Sequence, residues 1–504
     1  MIETRGRTLP TEFRLTLDHV WLATALILLA LRPLLTVIPP NDFWWHMAMG
    51  RAIVEQGAIP EVDTFSFTRA GAPFFNQAWL AQLLMYGLYR AGGLPLLLVV
   101  QALVITLAYG LLLRLCLLRT GRLRLCVALL LLTIMPMSFD NWTVRPQSYA
   151  FPLFVGFLTV LTQHRLGRAS RLWLLPLLMA LWVNIHGSFV LGLALIAITL
   201  AGQVLTMLRG APRAPAEADG DERAAPALWP LIFWGLLTAL ATLANPRGLA
   251  VLAYVSNLLG SSQVTTLVTE WSPPTIRDIN GAIFFLVLIG AAVLLAYARR
   301  PPDLTDMLLA GAFLWLALGA TRNIVWFGFV VTPLLAVQAA TLLPERRAAR
   351  PAGSARLNAM LIGTLMLLLV LASPWVKPAL GLPPAIGSLA SQDTPVAATA
   401  ALQQLPERPA RLFHAMAYGS YLIWAAPEQP VFIDPRIELY PYQQWRDYIN
   451  LGQGNNVDTL LEKYAIDGAL LSLKEQAPLV ERLRADPAWA VHYEDEHSVL
   501  LVRR

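Results

Sequence analysis

Eleven apolar runs, most of them close to 20 residues long, recur along this chain, and no other feature restricts its folding as strongly. They lie at 20–38, 94–113, 123–138, 148–164, 171–184, 187–207, 228–244, 281–298, 305–320, 323–343 and 357–376. A helix of roughly 20 apolar residues crosses the hydrocarbon core of a bilayer, with a lower limit of about 17. The third, fifth and ninth runs are therefore short. Only 14% of the residues are charged, against roughly 25% in soluble domains. The expected fold class is an α-helical polytopic membrane protein with about 11 transmembrane helices.

A formal charge of +6 invites comparison with nucleic-acid binders. The basic residues, however, form short clusters between apolar runs instead of one stripe, so no nucleic-acid partner is expected. Cytoplasmic loops carry the excess of Lys and Arg in membrane proteins. The clusters are Arg119, Arg122 and Arg124; His164, Arg165, Arg168 and Arg171; Arg209 and Arg213; Arg299 and Arg300; and Arg346, Arg347 and Arg350. They alternate with the runs and fall on one side with the N-terminus, which is thus expected to be cytoplasmic. Arg5, Arg7 and Arg14 precede the first run without an obvious cleavage site, so that run reads as an uncleaved helix. Ala211–Ala225 reads as a disordered cytoplasmic linker. Cys116 and Cys126 have neither metal-site spacing nor a disulfide framework around them and read as structural.

The opposite face carries the long, chemically varied loops, and after Lys377 a soluble pattern begins. Helix-like and strand-like stretches alternate there: 395–405, 411–414, 418–425, 442–451, 457–464, 468–472 and 477–485, then two β-prone runs. Such alternation predicts a small α/β domain. The expected organisation is a transmembrane domain over 1–377, with an external first loop over 39–93, followed by an extramembrane α/β domain over 378–504.

Candidate site residues gather on that external face. In Asn41-Asp42-Phe43-Trp44-Trp45-His46, Asp42 and His46 share a helical face, which suits a general base or metal ligand with an orienting imidazole. The alternative is an interfacial helix with Trp44 and Trp45 in an aromatic belt and Asp42 as a cap. Asp63 is either a second acid at the same face or a turn residue bonded to nearby N–H groups. Arg145, Arg247, Arg277 and Arg322 stand outside against the usual charge bias. An anionic phosphate or pyrophosphate explains them through bidentate contact, whereas pairing with Asp140 or Glu270 explains them internally. The turn Trp182-Val183-Asn184-Ile185-His186-Gly187 offers Asn184 and His186 to a substrate, or a satisfied hairpin histidine. Glu270-Trp271 pairs an acid with an aromatic platform. In Asp434-Pro435-Arg436-Ile437-Glu438-Leu439-Tyr440, an internal Arg436 salt bridge is the simpler account. The chain holds no Gly-rich phosphate loop, Ser-His-Asp signature or Cys/His zinc cluster.

With Asp42 after the first run, amphipathic helices in the first loop, external arginines and a C-terminal α/β domain, the chain resembles the GT-C superfamily of membrane glycosyltransferases. It is also similar to bacterial membrane proteins carrying Asp-x-Trp-Trp-His, Arg-Pro-Gln, Trp-x-Asn-x-His-Gly and Asp-x-Arg-x-Glu-Leu-Tyr segments. The resemblance implies a multi-pass protein of the bacterial inner membrane that uses a polyprenyl-phosphate-linked sugar donor. Its acceptor would be an external lipid, glycan or protein. Asp42 would be the base or acceptor-orienting acid of an inverting transfer, and Arg145 or Arg322 would hold the leaving phosphate. The first loop lacks an Asp-x-Asp or Asp-Glu pair, which leaves open a divalent metal at Asp42 and His46. The competing functions are a transporter or flippase, which needs buried charges at mid-membrane, and a non-catalytic scaffold.

Overall fold

The computed structural model describes residues 14–168, 170–209, 227–260, 269–344 and 354–504. The linker expected over Ala211–Ala225 lies outside these residues, as do Arg5, Arg7, Arg213, Arg346, Arg347 and Arg350. Every apolar run contains a helix. The helical part comprises α1 (Leu17–Leu35), α2 (Asp42–Gln56), α3 (Trp79–Thr120), α4 (Leu123–Leu129), α5 (Pro146–Arg165), α6 (Leu174–Trp182) and α7 (Val190–Leu208). It continues with α8 (Leu228–Ala241), α9 (Ala250–Gly260), α10 (Ile279–Tyr297), α11 (Leu304–Gly319), α12 (Ile324–Leu342) and α13 (Ala355–Leu371). Among the described residues five helices are long and apolar enough to cross a membrane, and further apolar helices are shorter. The protein is a multi-pass membrane protein. A full count of eleven crossings is not reached on length, because the fifth run yields only the nine-residue α6. Helix α9 also lies in a stretch that the sequence presents as loop.

Two rules place these helices. Helix α12 is apolar on all sides and is buried along nearly its whole length, as a helix without a polar face must be. Helix α3 is long because its apolar pattern continues from the first loop into the bundle. It breaks where Gly92 and Gly93 leave helical geometry, with Gly93 at φ +65°, a left-handed conformation that glycine adopts without penalty. The two ends of the bundle then sort by chemistry. At one end Arg119 and Arg165 meet Asp306, Arg165 also reaches Asp303, and Arg124 meets Asp18. The other end carries the loops from 39–78, the turns at 138–145 and 183–188, and Arg322.

The C-terminal unit, α14 (Val396–Gln403) to the chain end, is built on a four-stranded mixed sheet of order β1-β2-β4-β3. Strands β1 (Leu412–His414) and β2 (Gly468–Ser472) run parallel, and β4 (Ser498–Arg503) pairs antiparallel with both β2 and β3 (Trp489–Glu494). Helices α15 (Met416–Ala425), α16 (Tyr442–Gly452), α17 (Val457–Lys463) and α18 (Ala477–Arg484) complete it. The α/β pattern expected after Lys377 is present, except that the strand-like run Val431-Phe432-Ile433-Asp434 forms only isolated bridges at Val431 and no strand.

This unit does not stand apart from the helices. Val431 bridges to Leu412 on one side and to Ser66 of the first loop on the other, so the loop extends the sheet edge. Ala48 of α2 is buried in the same apolar cluster as Leu412, Leu422 and Leu470.

Candidate active site

Helix α2 positions the leading candidate. Asn41 holds its N-cap and Asp42 its first turn, while Gly57 at φ +64° ends it. Phe43, Trp44 and Met47 bury against the bundle, and His46 on the same helix is buried as well, while Asp42 stays partly open. Trp44 packs edge-on against Tyr421 of α15, with ring centroids 5.1 Å apart, and the Trp45 amide donates to Ser420 Oγ at 3.0 Å. The tryptophans are thus the joint between the first loop and the C-terminal unit. The belt-and-cap alternative fails because Trp44 is buried and Asn41, not Asp42, is the cap. At Gly50 a Cβ would lie 2.3 Å from the Gln82 carbonyl oxygen. Only glycine permits this approach, which brings the Gln82 side chain to His46.

Asp42, His46, Arg145, His186, Glu270 and Arg322, drawn from five separate stretches with the first pair on one helix, converge at this end. Burial raises the Asp42 carboxyl above its ordinary value of 3.8, opposed by the Arg145 and Arg322 guanidiniums and reinforced by Glu270. Burial would also raise Glu270, yet Arg145 and Arg322 together hold it below the usual range. Arg145 donates to Glu270 Oε1 at 2.7 Å, and Arg322 lies over the Trp271 ring, 4.8 Å from its centroid. The aromatic platform is therefore covered by a guanidinium. Arg145 Nε is buried without a hydrogen-bond partner. The arrangement holds two cations beside one paired and one reluctant carboxylate, which suits an incoming anion.

Both imidazoles are neutral and their tautomers follow from their partners. Burial, with the Arg145 charge adding to it, pushes His46 down to about 3; burial, Arg322 and Arg145 push His186 well below its ordinary value. His186 Nδ1 accepts from the Ser188 backbone N–H at 3.1 Å. A backbone N–H can only donate, so the His186 proton sits on Nε2. The Asn76 amide donates to Gln82 Oε1 at 2.7 Å, which turns Gln82 Nε2 toward His46 Nδ1 at 3.1 Å. With Gln82 in this orientation its Nε2 donates to His46 Nδ1, which puts the His46 proton on Nε2.

Four candidates do not join this cluster in the roles expected of them. Asp63 is fully buried and accepts from the Phe65 and Ser66 amides, from Ser66 Oγ at 2.6 Å and from Arg436 at 2.7 Å. Its lone pairs are taken, so the turn reading replaces the catalytic one. Asn184 donates to the Ala180 and Ala244 carbonyls and accepts from Trp79 Nε1 and Asn245 Nδ2, which makes it a saturated tie between three segments instead of a substrate contact. Arg247 lies at the rim, 5.5 Å over the Phe75 ring and 3.5 Å from Glu61. Arg277 is exposed and outside the cluster.

No pattern in the residues points to Tyr254, on α9, whose ring stacks on Phe75 at 4.5 Å and whose hydroxyl donates to Glu438 Oε1 at 3.1 Å. No group of three His, Cys, Asp or Glu side chains with metal-site geometry occurs among the described residues.

This combination of a helical bundle and a small C-terminal sheet is shared with solved structures of two other proteins. Three solved structures of those two proteins carry that comparison. The oligosaccharyltransferase of Archaeoglobus fulgidus, apo, superposes with a TM-score of 0.56 at 12% identity over 90% of this chain and 70% of that one. The same enzyme tethered to an acceptor peptide containing the NVT sequon gives 0.55 at 13%, over 96% and 74%. ArnT from Cupriavidus metallidurans, bound to undecaprenyl phosphate, gives 0.53 at 12%, over 96% of this chain and 97% of that one. No family model matches the chain, and no curated protein matches it by sequence.

Proposed function

We propose that this protein is a glycosyltransferase of the bacterial inner membrane. It transfers a sugar from a polyprenyl-phosphate-linked donor to a lipid, glycan or protein acceptor on the periplasmic face, where the first loop and the C-terminal domain lie. The observation that carries this reading is the convergence of Asp42 with Arg145 and Arg322 from distant parts of the chain. In the transfer, the Asp42 carboxylate takes the proton of the acceptor hydroxyl and the freed oxygen attacks the anomeric carbon. The bond to the donor phosphate breaks, and Arg145 and Arg322 receive the phosphate oxyanion. Burial makes Asp42 a stronger base than a free aspartate.

An apolar groove supports a lipid carrier. It has a volume of about 490 Å³ and is lined by Leu132, Pro136, Ile283, Val287, Gly290 and Leu335, among others. Two of its lining residues, Pro136 and Ile283, precede Asp140 and follow Asn280 closely in the chain, and Asn280 donates to Asp140, the neighbour of the Asn141 that meets Arg145. Replacing Asp42→Asn and Arg322→Ala tests the function. Loss of lipid-linked sugar turnover and altered surface glycans or lipids, read by mass spectrometry against wild-type cells, are expected. Unchanged glycans and turnover in both variants would sink the proposal.

A further inference from the structure

The donor set at this site does not fit a divalent cation, although a metal at Asp42 and His46 is the natural expectation for a lone acid beside an imidazole. A metal takes a bare ring nitrogen. In His186 the Nδ1 lone pair is occupied by the Ser188 N–H and by the Ser188 hydroxyl, at 3.1 and 2.9 Å. That hydroxyl accepts from Trp182 Nε1 at 3.1 Å and so has its own proton to give to the ring. In His46 the Nδ1 is occupied by Gln82. Each Nε2 therefore bears hydrogen, and freeing it would force a proton onto a nitrogen that faces another donor. Glu270, the carboxylate that acts electrostatically on Asp42, is already held by Arg145. The neighbouring segment 261–268, which is not among the described residues, contains no His, Cys, Asp or Glu in its sequence.

The same facts describe a positive alternative. Neither Nε2 has a hydrogen-bond partner among the described residues, and both rings lie close enough to Arg145 to feel its charge. Two imidazole N–H groups and two guanidiniums, with no basic lone pair among them, form an array of donors. Such an array matches the oxygens of a phosphate and supplies the positive charge that a cation would otherwise bring.

Building on the glycosyltransferase reading, we infer that His46 and His186 are fixed Nε2–H donors which, with Arg145 and Arg322, bind the donor's phosphate without a divalent metal. The histidines are binding residues in this arrangement, neither bases nor metal ligands.

The test measures binding of farnesyl phosphate, a short polyprenyl phosphate, to the full chain in lipid nanodiscs. One arm contains EDTA, a second Mg²⁺ and a third Mn²⁺. Equal affinity in all three arms is expected. His186→Ala should weaken binding about tenfold or more, the size of a lost charge-assisted hydrogen bond, and His186→Gln should retain affinity because its amide N–H reaches the imidazole Nε2 position. Nitrogen-15 NMR of labelled histidines, a readout that unfolding would visibly spoil, should show both rings neutral with the proton on Nε2.

Binding that appears only with Mg²⁺ or Mn²⁺, or an Nδ1–H tautomer at His186, would overturn the inference and leave the glycosyltransferase reading standing. Absence of farnesyl phosphate binding in every arm would overturn both.

Discussion

Two acid–arginine clusters sit a short way apart in this molecule and use the same side-chain types to opposite ends. In the first, Arg436 bonds Asp434 through Nε at 2.9 Å and Nη2 at 2.6 Å, and Asp63 at 2.7 Å; Tyr440 donates to Asp434 as well. All three charged side chains are inaccessible to solvent. The Phe65 and Phe74 rings lie 5.2 and 5.0 Å from the guanidinium. In the second, Arg145 and Arg322 share one paired glutamate and Asp42, which keeps part of its surface open. In the first cluster every carboxylate oxygen of Asp63 and Asp434 is taken, Arg436 Nη1 alone lacks a hydrogen-bond partner, and the group staples the first loop to the C-terminal unit. The second leaves Asp42 partly open. Saturation of the carboxylates, more than the presence of charge, separates a staple from a site.

The contrast predicts opposite responses to mutation. Asp42→Asn should lower turnover about 10²–10⁴-fold, the usual contribution of a positioned base. It should at the same time raise the thermal midpoint at neutral pH, because a carboxylate whose folded pKa is raised opposes folding when ionised. That gain should vanish below the ordinary carboxylate range, where Asp42 is protonated in either state. An Asp42→Asn protein with full turnover would return the acid to a structural role.

Arg436→Ala should do the reverse. Removing one partner of a buried ion cluster leaves carboxylates uncompensated and costs roughly 3–5 kcal/mol. Burial would raise Asp434, but Arg436 and the Tyr440 hydroxyl hold it below its ordinary value. Its stabilising contribution is therefore present at neutral pH and is lost only as pH falls through that depressed pKa. Asp42 protonates first, so mild acid should abolish turnover while circular dichroism still reports a folded protein. Simultaneous loss of both signals would erase the distinction between the clusters.

Much of this was legible in the residues. Apolar runs located the helices of the bundle apart from α2 and α9, and the alternation after Lys377 located the sheet. Asp42, Arg145, His186, Glu270 and Arg322 were recognisable because ionisable groups beside membrane helices are costly and seldom idle. Asp63 looked equally suitable, since its saturation depends on Arg436, which is 373 residues away. Asn184 misled for the same reason: its four partners come from three segments. Tyr254 was invisible because a single tyrosine in an apparent loop carries no pattern. Sequence shows which groups are unusual, but only packing shows which of them are already satisfied.

Gly50→Ala tests the joint beneath the second cluster. An added Cβ meets the Gln82 carbonyl oxygen at 2.3 Å, a backbone atom that cannot swing aside. Overpacking of this kind costs roughly 1–3 kcal/mol. The displaced Gln82 should also release His46, so turnover should fall further than the stability loss explains. Equal effects on both would mean that the His46–Gln82 contact is only packing.

The smallest expected effect is at Tyr254. Its hydroxyl links α9 to Glu438 of the C-terminal unit at the edge of the open cluster. Tyr254→Phe keeps the stack on Phe75 and removes only this hydrogen bond, which is worth about 0.5–1.5 kcal/mol, or more when the acceptor is charged. Were the contact another staple, the thermal midpoint would drop and the KM for acceptor would not move. As part of the open site, it should instead leave the midpoint within about a degree or two, as expected for a partly exposed pair, and raise KM for the acceptor at unchanged KM for the lipid donor. The two KM values, measured side by side on Tyr254→Phe and Glu438→Gln, decide to which cluster this link belongs.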